Sequence, residues 1–266
     1  MDLSFIIIEY HCLEEIGPCL AQLQKNSMGT TCEYIITSNS GYSLIIQNRI
    51  RKDFPNVQWI FNEKNGGFAY AMNRGIAKAT GEVIVLLAPD ARVLSDLGPA
   101  QRFLHENSKV AVLGPKVVDR QGNVQDSARC FLSPYGLVQR SFLRLIKHRK
   151  TILERKFDYN QVQPVDWVIG AFMMVKKSAL EKVGMLDEEY FLYVEDMDWC
   201  KRFWDNGFQV YYSPDLVVEY EGSRQSTIFL LAKKNPDRYT FLHLRSYLHF
   251  VCKHRYFYRK SSGAVT

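Results

Sequence analysis

The chain has 266 residues, 47% hydrophobic and 23% charged, which suits one compact α/β domain and not a string of modules. Its net charge of +6 is unevenly placed: Arg140 to Lys150 holds five Lys/Arg and no acid, and Lys233 to Lys260 holds eight against Asp237 alone. That asymmetry asks for an anionic partner.

The longest apolar runs, Phe5 to Ile8 and Val83 to Ala88, fall far short of the roughly 20 residues of a membrane-spanning helix. Both read as buried strands. Met1-Asp2-Leu3-Ser4 leads into a strand without a basic lead or cleavage site, so a cytoplasmic location is expected. The six cysteines are scattered with no Cys-x-x-Cys pair, which points to reduced thiols.

In chain order, apolar runs alternate with helical patterns, as in a parallel sheet with crossover helices. Strands are predicted at Leu3 to Ile8, Tyr34 to Thr37, Val57 to Phe61 and Val83 to Leu87. Helices are predicted at Leu13 to Gln24, Leu44 to Arg51 and Gly67 to Ala79. Ligands of such sheets sit beyond the carboxyl ends of the strands, so the turns after Ile8, Thr37 and Leu87 should converge on one crevice. The second half predicts strands at Ala111 to Leu113, Trp167 to Val175 and Gln209 to Tyr212, and helices at Lys177 to Val183 and Asp196 to Trp204. From Ile228 on, the chain is basic, aromatic and helical in propensity.

Three constellations carry chemistry. In Asn62-Glu63-Lys64-Asn65-Gly66-Gly67-Phe68-Ala69, two glycines between a strand and a helix let a ligand approach the backbone, and the helix N-terminus offers N–H groups to an anion. A tight strand-to-helix turn needs the same residues. The strand Val83 to Leu87 delivers Asp90 at its carboxyl end, where an oxygen ligand for a hard divalent cation meets a diphosphate. An Asp after Pro is equally a turn or helix-cap residue.

The third constellation sets Glu195, Asp196 and Asp198 directly after the aromatic Tyr190-Phe191-Leu192-Tyr193. Three carboxylates in four positions resist burial unless protonated, paired or near a cation, a tension that suits a general base. An acidic helix start favoured by the macrodipole explains one or two of them.

Taken in order, these segments resemble family 2 glycosyltransferases, in particular the bacterial rhamnosyltransferase-like branch. Asn62 to Gly75 matches Asn-x-x-Asn-x-Gly-Phe-Ala-x-Ala-x-Asn-x-Gly, Leu87 to Asp90 echoes Leu-Asn-Pro-Asp, and Gly184 to Asp198 echoes Gly-Phe-Asp-Glu-x-Phe-Phe-x-Tyr-x-Glu-Asp-x-Asp. The resemblance implies a GT-A fold: a Rossmann-like, mostly parallel central sheet flanked by helices, with a C-terminal helical extension. The catalytic domain would span 1–227, divided into a nucleotide-sugar-binding half, 1–118, and an acceptor-binding half, 119–227, with the basic aromatic extension at 228–266.

The resemblance also implies roles. Asp196 would be the base of an inverting transfer, with Glu195 and Asp198 orienting or tuning it. Glu9, Ser38, Asn39, Asn65, Gly66, Gly67, Asn73, Asp90, Gly170 and Ala171 would bind a UDP-, dTDP- or GDP-sugar, and Trp167 to Ala171 would wall the sugar pocket. Asp90 would hold Mg²⁺ or Mn²⁺, with Glu219 as a further oxygen ligand.

Three positions depart from the family pattern. Ser38 stands where an Asp usually reads the nucleobase, Glu9-Tyr10-His11 replaces Thr-Tyr-Asn, and Glu219 replaces a metal-contacting His.

The expected acceptor is a lipid-linked glycan or polysaccharide of the cell envelope. The basic, aromatic tail suits the inner face of a membrane, aromatic side down, and equally a helix packed on the domain. No nucleic-acid module is present. A degenerate, non-catalytic relative and a nucleotidyltransferase are the competing readings. The latter lacks a Gly-rich, Lys-containing phosphate loop near the N-terminus.

Overall fold

A computed structural model describes residues 1–131, 157–221 and 238–255. The basic stretch at 140–150 and residues 228–237 and 256–266 of the extension lie outside the described residues. The first half follows the predicted alternation: β1 (Leu3–Glu9), α1 (Leu13–Asn26), β2 (Cys32–Ser38), α2 (Leu44–Asp53), β3 (Gln58–Phe61), α3 (Phe68–Ile76) and β4 (Val83–Leu87). Then come β5 (Arg92–Val93), α4 (Gly98–Glu106), β6 (Val110–Val118), β7 (Ala128–Arg129), β8 (Gln163–Pro164), β9 (Trp167–Val168) and β10 (Phe172–Lys176). The chain continues through α5 (Lys177–Val183), α6 (Glu195–Asp205), β11 (Gln209–Glu219) and α7 (Arg238–Lys253).

The main sheet runs β3-β2-β1-β4-β10-β6-β11-β5, with β8 on β11. Its β1 to β4 portion is parallel, as expected. The second half makes the sheet mixed, because β10 inserts antiparallel between β4 and β6 and β11 pairs antiparallel with β5 and β8. Direction is not written in these strands' patterns: the first four residues of β10 are all buried, so it reads like any strand covered on both faces.

Alternation along β1 splits the core into two layers. Leu3, Phe5 and Ile7 join Ile16 and Leu23 of α1, Ile50 of α2 and Leu104 of α4. Ile6, on the opposite face, joins Met72 and Ile76 of α3, Leu180 of α5 and Trp199 and Phe203 of α6. A third cluster joins Tyr190, Val194 and Met197 to Tyr247, Phe250 and Val251 of α7.

Two expectations change. The predicted strand Trp167 to Val175 is two strands, β9 and β10, because between them the N–H of Gly170 turns to Asp196. Helix α4, not predicted, begins with Pro99 near its start and buries Ala100 and Leu104, one helical turn apart.

Candidate active site

The carboxyl ends of β1 and β2 meet at a buried Glu side chain. The register pairs Glu9 with Ser38, and Glu9 is fully buried. Its carboxylate accepts hydrogen bonds from Ser38 Oγ (2.5 Å), Ser40 Oγ (2.9 Å), Tyr42 Oη (3.0 Å) and the backbone N–H of Cys12 (3.1 Å). Several donors on one carboxylate replace the water that burial removes. Next to it, Asn39 Nδ2 donates to Asn65 Oδ1 and to the Gly67 carbonyl, both at 3.1 Å, and Asn62 Nδ2 donates to Asn39 Oδ1 at 2.8 Å. These asparagines lace the turns after β2 and β3 together.

The glycine pair has a partner that the sequence did not indicate. Gly67 has φ +95°, and a Cβ there would lie 2.2 Å from the carbonyl oxygen of Phe191. Phe68 N–H donates to that oxygen at 2.9 Å, and Gly67 N–H donates to Asn65 Oδ1 at 3.0 Å. Two N–H groups expected to face an anion are therefore engaged inside the fold, and the backbone that closely approaches Gly67 belongs to the aromatic loop. Asn73 likewise gives both amide protons to that side, to the Leu186 carbonyl (2.8 Å) and Glu188 Oε1 (2.9 Å), and accepts from Leu186 N–H (3.0 Å). It staples α3 to the acidic loop.

The three clustered carboxylates have three different environments. Asp196 is half-buried; its Oδ2 accepts from Gly170 N–H and its Oδ1 from Met197 N–H, each at 2.8 Å. Burial holds its carboxyl above the usual range, against the lowering by those two N–H groups and by Arg129. Glu195 is buried with Oε2 unpartnered. Burial first, and the charge of Asp196 second, push its carboxyl well above the ordinary value.

Asp198 goes the other way. Fully buried, it is bound by Arg202 Nε (2.8 Å), His254 Nε2 (2.8 Å), Lys253 Nζ (2.9 Å) and Tyr190 Oη (3.3 Å). Burial raises its carboxyl, but His254, Lys253 and Arg202 together hold it far below the usual range. Among the described residues these partners come from α6, from the loop before it and from the end of α7, and no hydrogen bond joins Asp198 to the Asp196 side chain.

Arg129, which no motif marked, lies on β7 with its guanidinium 4.9 Å from the Trp167 ring centroid and lowers the Asp196 carboxyl. A single basic residue outside any recurring string carries no sequence signal.

The Ala171 carbonyl accepts from Ala88 N–H at 2.9 Å, so the Gly170-Ala171 turn that contacts Asp196 also closes onto the end of β4, two residues before Asp90. Burial, and then Glu15, raise the Asp90 carboxyl; its own N–H and Arg92 lower it. Tyr220 is close by, its hydroxyl pushed up to about 12 by burial, then by Asp90 and Tyr193. The β5–β11 register sets Glu219 opposite Arg92, two residues along from Asp90. An oxygen donor whose ionised form is penalised by burial fits a hard divalent cation, which relieves that penalty. Among the described residues, no group of three or more His, Cys, Asp or Glu side chains is gathered to hold an ion.

Comparison with known proteins follows the same lines. Residues 4–184 match Glycosyl transferase family 2. The low-salt glycan biosynthesis hexosyltransferase Agl10 of Haloferax volcanii is 26% identical over 206 residues, covering 76% of this chain and 61% of that one. The N-acetylglucosaminyl-diphospho-decaprenol L-rhamnosyltransferase of Mycobacterium tuberculosis is 28% identical over 185 residues, 62% of this chain and 59% of that one. The chain thus spans about three fifths of the length of these relatives.

Solved structures agree on the fold. GalNAc-T7 with UDP, GalNAc and Mn²⁺ gives a TM-score of 0.65 at 15% identity, over 94% of this chain and 47% of that one. TarS of S. aureus with UDP gives 0.56 at 18%, over 85% and 62%. Rhamnosyltransferases are among its relatives, and with the family match spanning more than half of its length, the chain belongs to the family 2 glycosyltransferases and has the GT-A fold.

Proposed function

We propose that the chain transfers a sugar, with inversion, from a nucleotide-diphosphate donor to a lipid-linked or polysaccharide acceptor in cell-envelope glycan synthesis. The observation that carries this reading is Asp196: a half-buried carboxylate aimed by Gly170 N–H, with its carboxyl held above the usual range. A base needs an affinity for protons matched to its task, and burial supplies it. Asp196 takes the proton of the acceptor hydroxyl as that oxygen attacks the anomeric carbon, opposite the departing diphosphate. Burial and the charge of Asp196 favour the neutral form of Glu195 beside it.

The donor lies across the ends of β1, β2 and β4, its nucleobase toward Glu9, Ser38 and Asn39. The carboxylate that Ser38 lacks is supplied one strand over, by Glu9. Mg²⁺ or Mn²⁺ at Asp90, with Glu219 as second ligand, would offset the charge on the leaving diphosphate. In support, GalNAc-T7 was solved with UDP and Mn²⁺ and PcManGT with GDP-Man and Mn²⁺; UDP-, dTDP- and GDP-sugars are the candidate donors. In this reading residues 1–118 bind the donor and 119–227 the acceptor, with 228–266 as an extension.

That extension meets a membrane surface through α7. Its inner face packs on the domain, while Phe241 and Leu248 are 56% and 51% exposed, with Leu244 between them and Arg238 and Arg245 alongside. Such a stripe suits anionic headgroups. Among the described residues no helix is long and apolar enough to cross a membrane.

A thermal-shift screen against UDP-, GDP-, dTDP- and CMP-sugars, each with Mn²⁺ or chelator, tests the donor site. The expected result is a metal-dependent rise with a diphosphate donor. No rise with any donor at millimolar concentration favours the non-catalytic reading.

A further inference from the structure

The turn that delivers Glu195 and Asp196 into α6 contains two consecutive left-handed residues, Tyr193 (φ 70°) and Val194 (φ 74°). A β-branched residue in that region is disfavoured, and such backbone persists only where its surroundings over-determine it. The surroundings come from α7. Ser246 Oγ donates to the Leu192 carbonyl at 3.0 Å, and the His243 ring stacks on Tyr193 at 4.7 Å. Tyr247, Phe250 and Val251 enclose Tyr190, Val194 and Met197. Lys253 Nζ reaches Asp187 Oδ2 (2.5 Å) ahead of the turn and Asp198 Oδ1 (2.9 Å) beyond it.

Two facts distinguish this from ordinary helix packing. The buried apolar side chains of α7 belong to the third core cluster, whose other buried members are Tyr190 and Val194 of the loop and Met197 of α6. And Asp198, already paired with Arg202 one helical turn along, also binds Lys253 of α7 and His254 just after it, more than fifty residues away in sequence. The contacts therefore bracket Asp196 from both sides along the chain.

We propose that α7 is a positioning element for the reaction: Ser246, Lys253 and His254, acting through Leu192 and Asp198, hold the strained Tyr193-Val194 turn that aims Asp196. This rests on the reading of Asp196 as base. None of these residues touches the reacting atoms, so their removal changes the rate of transfer and not the affinity for donor.

The test uses the full chain, with kcat, donor KM and metal-dependent donor thermal shift measured well below Tm. Ser246→Ala removes one hydrogen bond at the turn and leaves the charged contacts in place; Asp198→Asn does the reverse. Each is expected to lower kcat about fivefold or more, since small misplacements of a reacting group are costly, with donor KM and thermal shift within about twofold. In an Asp196→Asn background the same changes are expected to cost nothing further, because residues acting through one group are non-additive.

Unchanged kcat in Ser246→Ala, or an equal loss in the Asp196→Asn background, overturns the proposal. If Asp198→Asn does not fold, Ser246→Ala carries the test. Wild-type turnover by Asp196→Asn alone brings down the base reading itself; an inactive Asp196→Asn beside a fully active Ser246→Ala brings down only the role of α7.

Discussion

Gly170 donates its backbone N–H to Asp196 Oδ2 at 2.8 Å, and the next residue, Ala171, bonds through its carbonyl to Ala88 N–H at the end of β4. One short turn thereby links the carboxylate proposed as base to the strand end that carries Asp90. The break between β9 and β10 is the structural condition for this link, since a continuous strand would keep Gly170 N–H in the ladder.

The nearby Arg129 stabilises the ionised form of Asp196. Arg129→Gln removes that stabilisation, so the Asp196 carboxyl rises further and the acidic limb of kcat/KM moves to higher pH. Above the limb, activity is expected to stay within about threefold of wild type, because the base and its two N–H donors remain. An unmoved limb in a pH–rate profile contradicts this.

Glu195 contributes to stability with the opposite sign from an ion-paired acid. Its folded carboxyl is raised, so its favourable term is complete below the unfolded value of about 4 and is lost as pH rises through the folded one. Glu195→Gln has no such loss. The variant is expected to match wild type near pH 4 and to exceed it by about 2 °C or more in Tm at pH 8. Parallel Tm curves for the two proteins across that range contradict the assignment.

Gly67 is where the turn after β3 touches the aromatic loop. Alanine there meets a positive φ and the Phe191 carbonyl at 2.2 Å, with backbone and not a flexible side chain in the way. Gly67→Ala is expected to cost about 3 kcal/mol in urea unfolding. A loss under about 1 kcal/mol, the ordinary cost of a surface change, shows that the loop moves freely away.

Much of this was legible in the sequence where chemistry follows from local pattern. Val83–Leu87 and Lys177–Val183 have the predicted bounds, because an unbroken apolar run and a helical repeat are local signals. Asp90 and the acidic cluster were visible as charges at element ends.

What was not legible depends on partners distant in sequence. Asn65, Gly67 and Asn73 sit in one string, yet their hydrogen bonds run to Asn39, within the turn, and to Leu186 and Glu188. Asp198 looked like a third member of the acidic set until Lys253 of α7 and His254 just after it supplied partners. The antiparallel insertion of β10 left no trace, since burial on both faces erases the pattern that would tell strand direction.

Whether Asp196 is the base is decided by turnover of Asp196→Asn with the donor that the thermal-shift screen selects and a polyprenyl-diphosphate-linked sugar as acceptor, donor binding being measured on the same protein. The expected result is a loss of about a thousandfold or more in kcat with donor affinity within about twofold, because removing a general base removes a contribution made only in the transition state. A variant that turns over within a few-fold of wild type, with donor bound normally, contradicts it and takes the base away from Asp196.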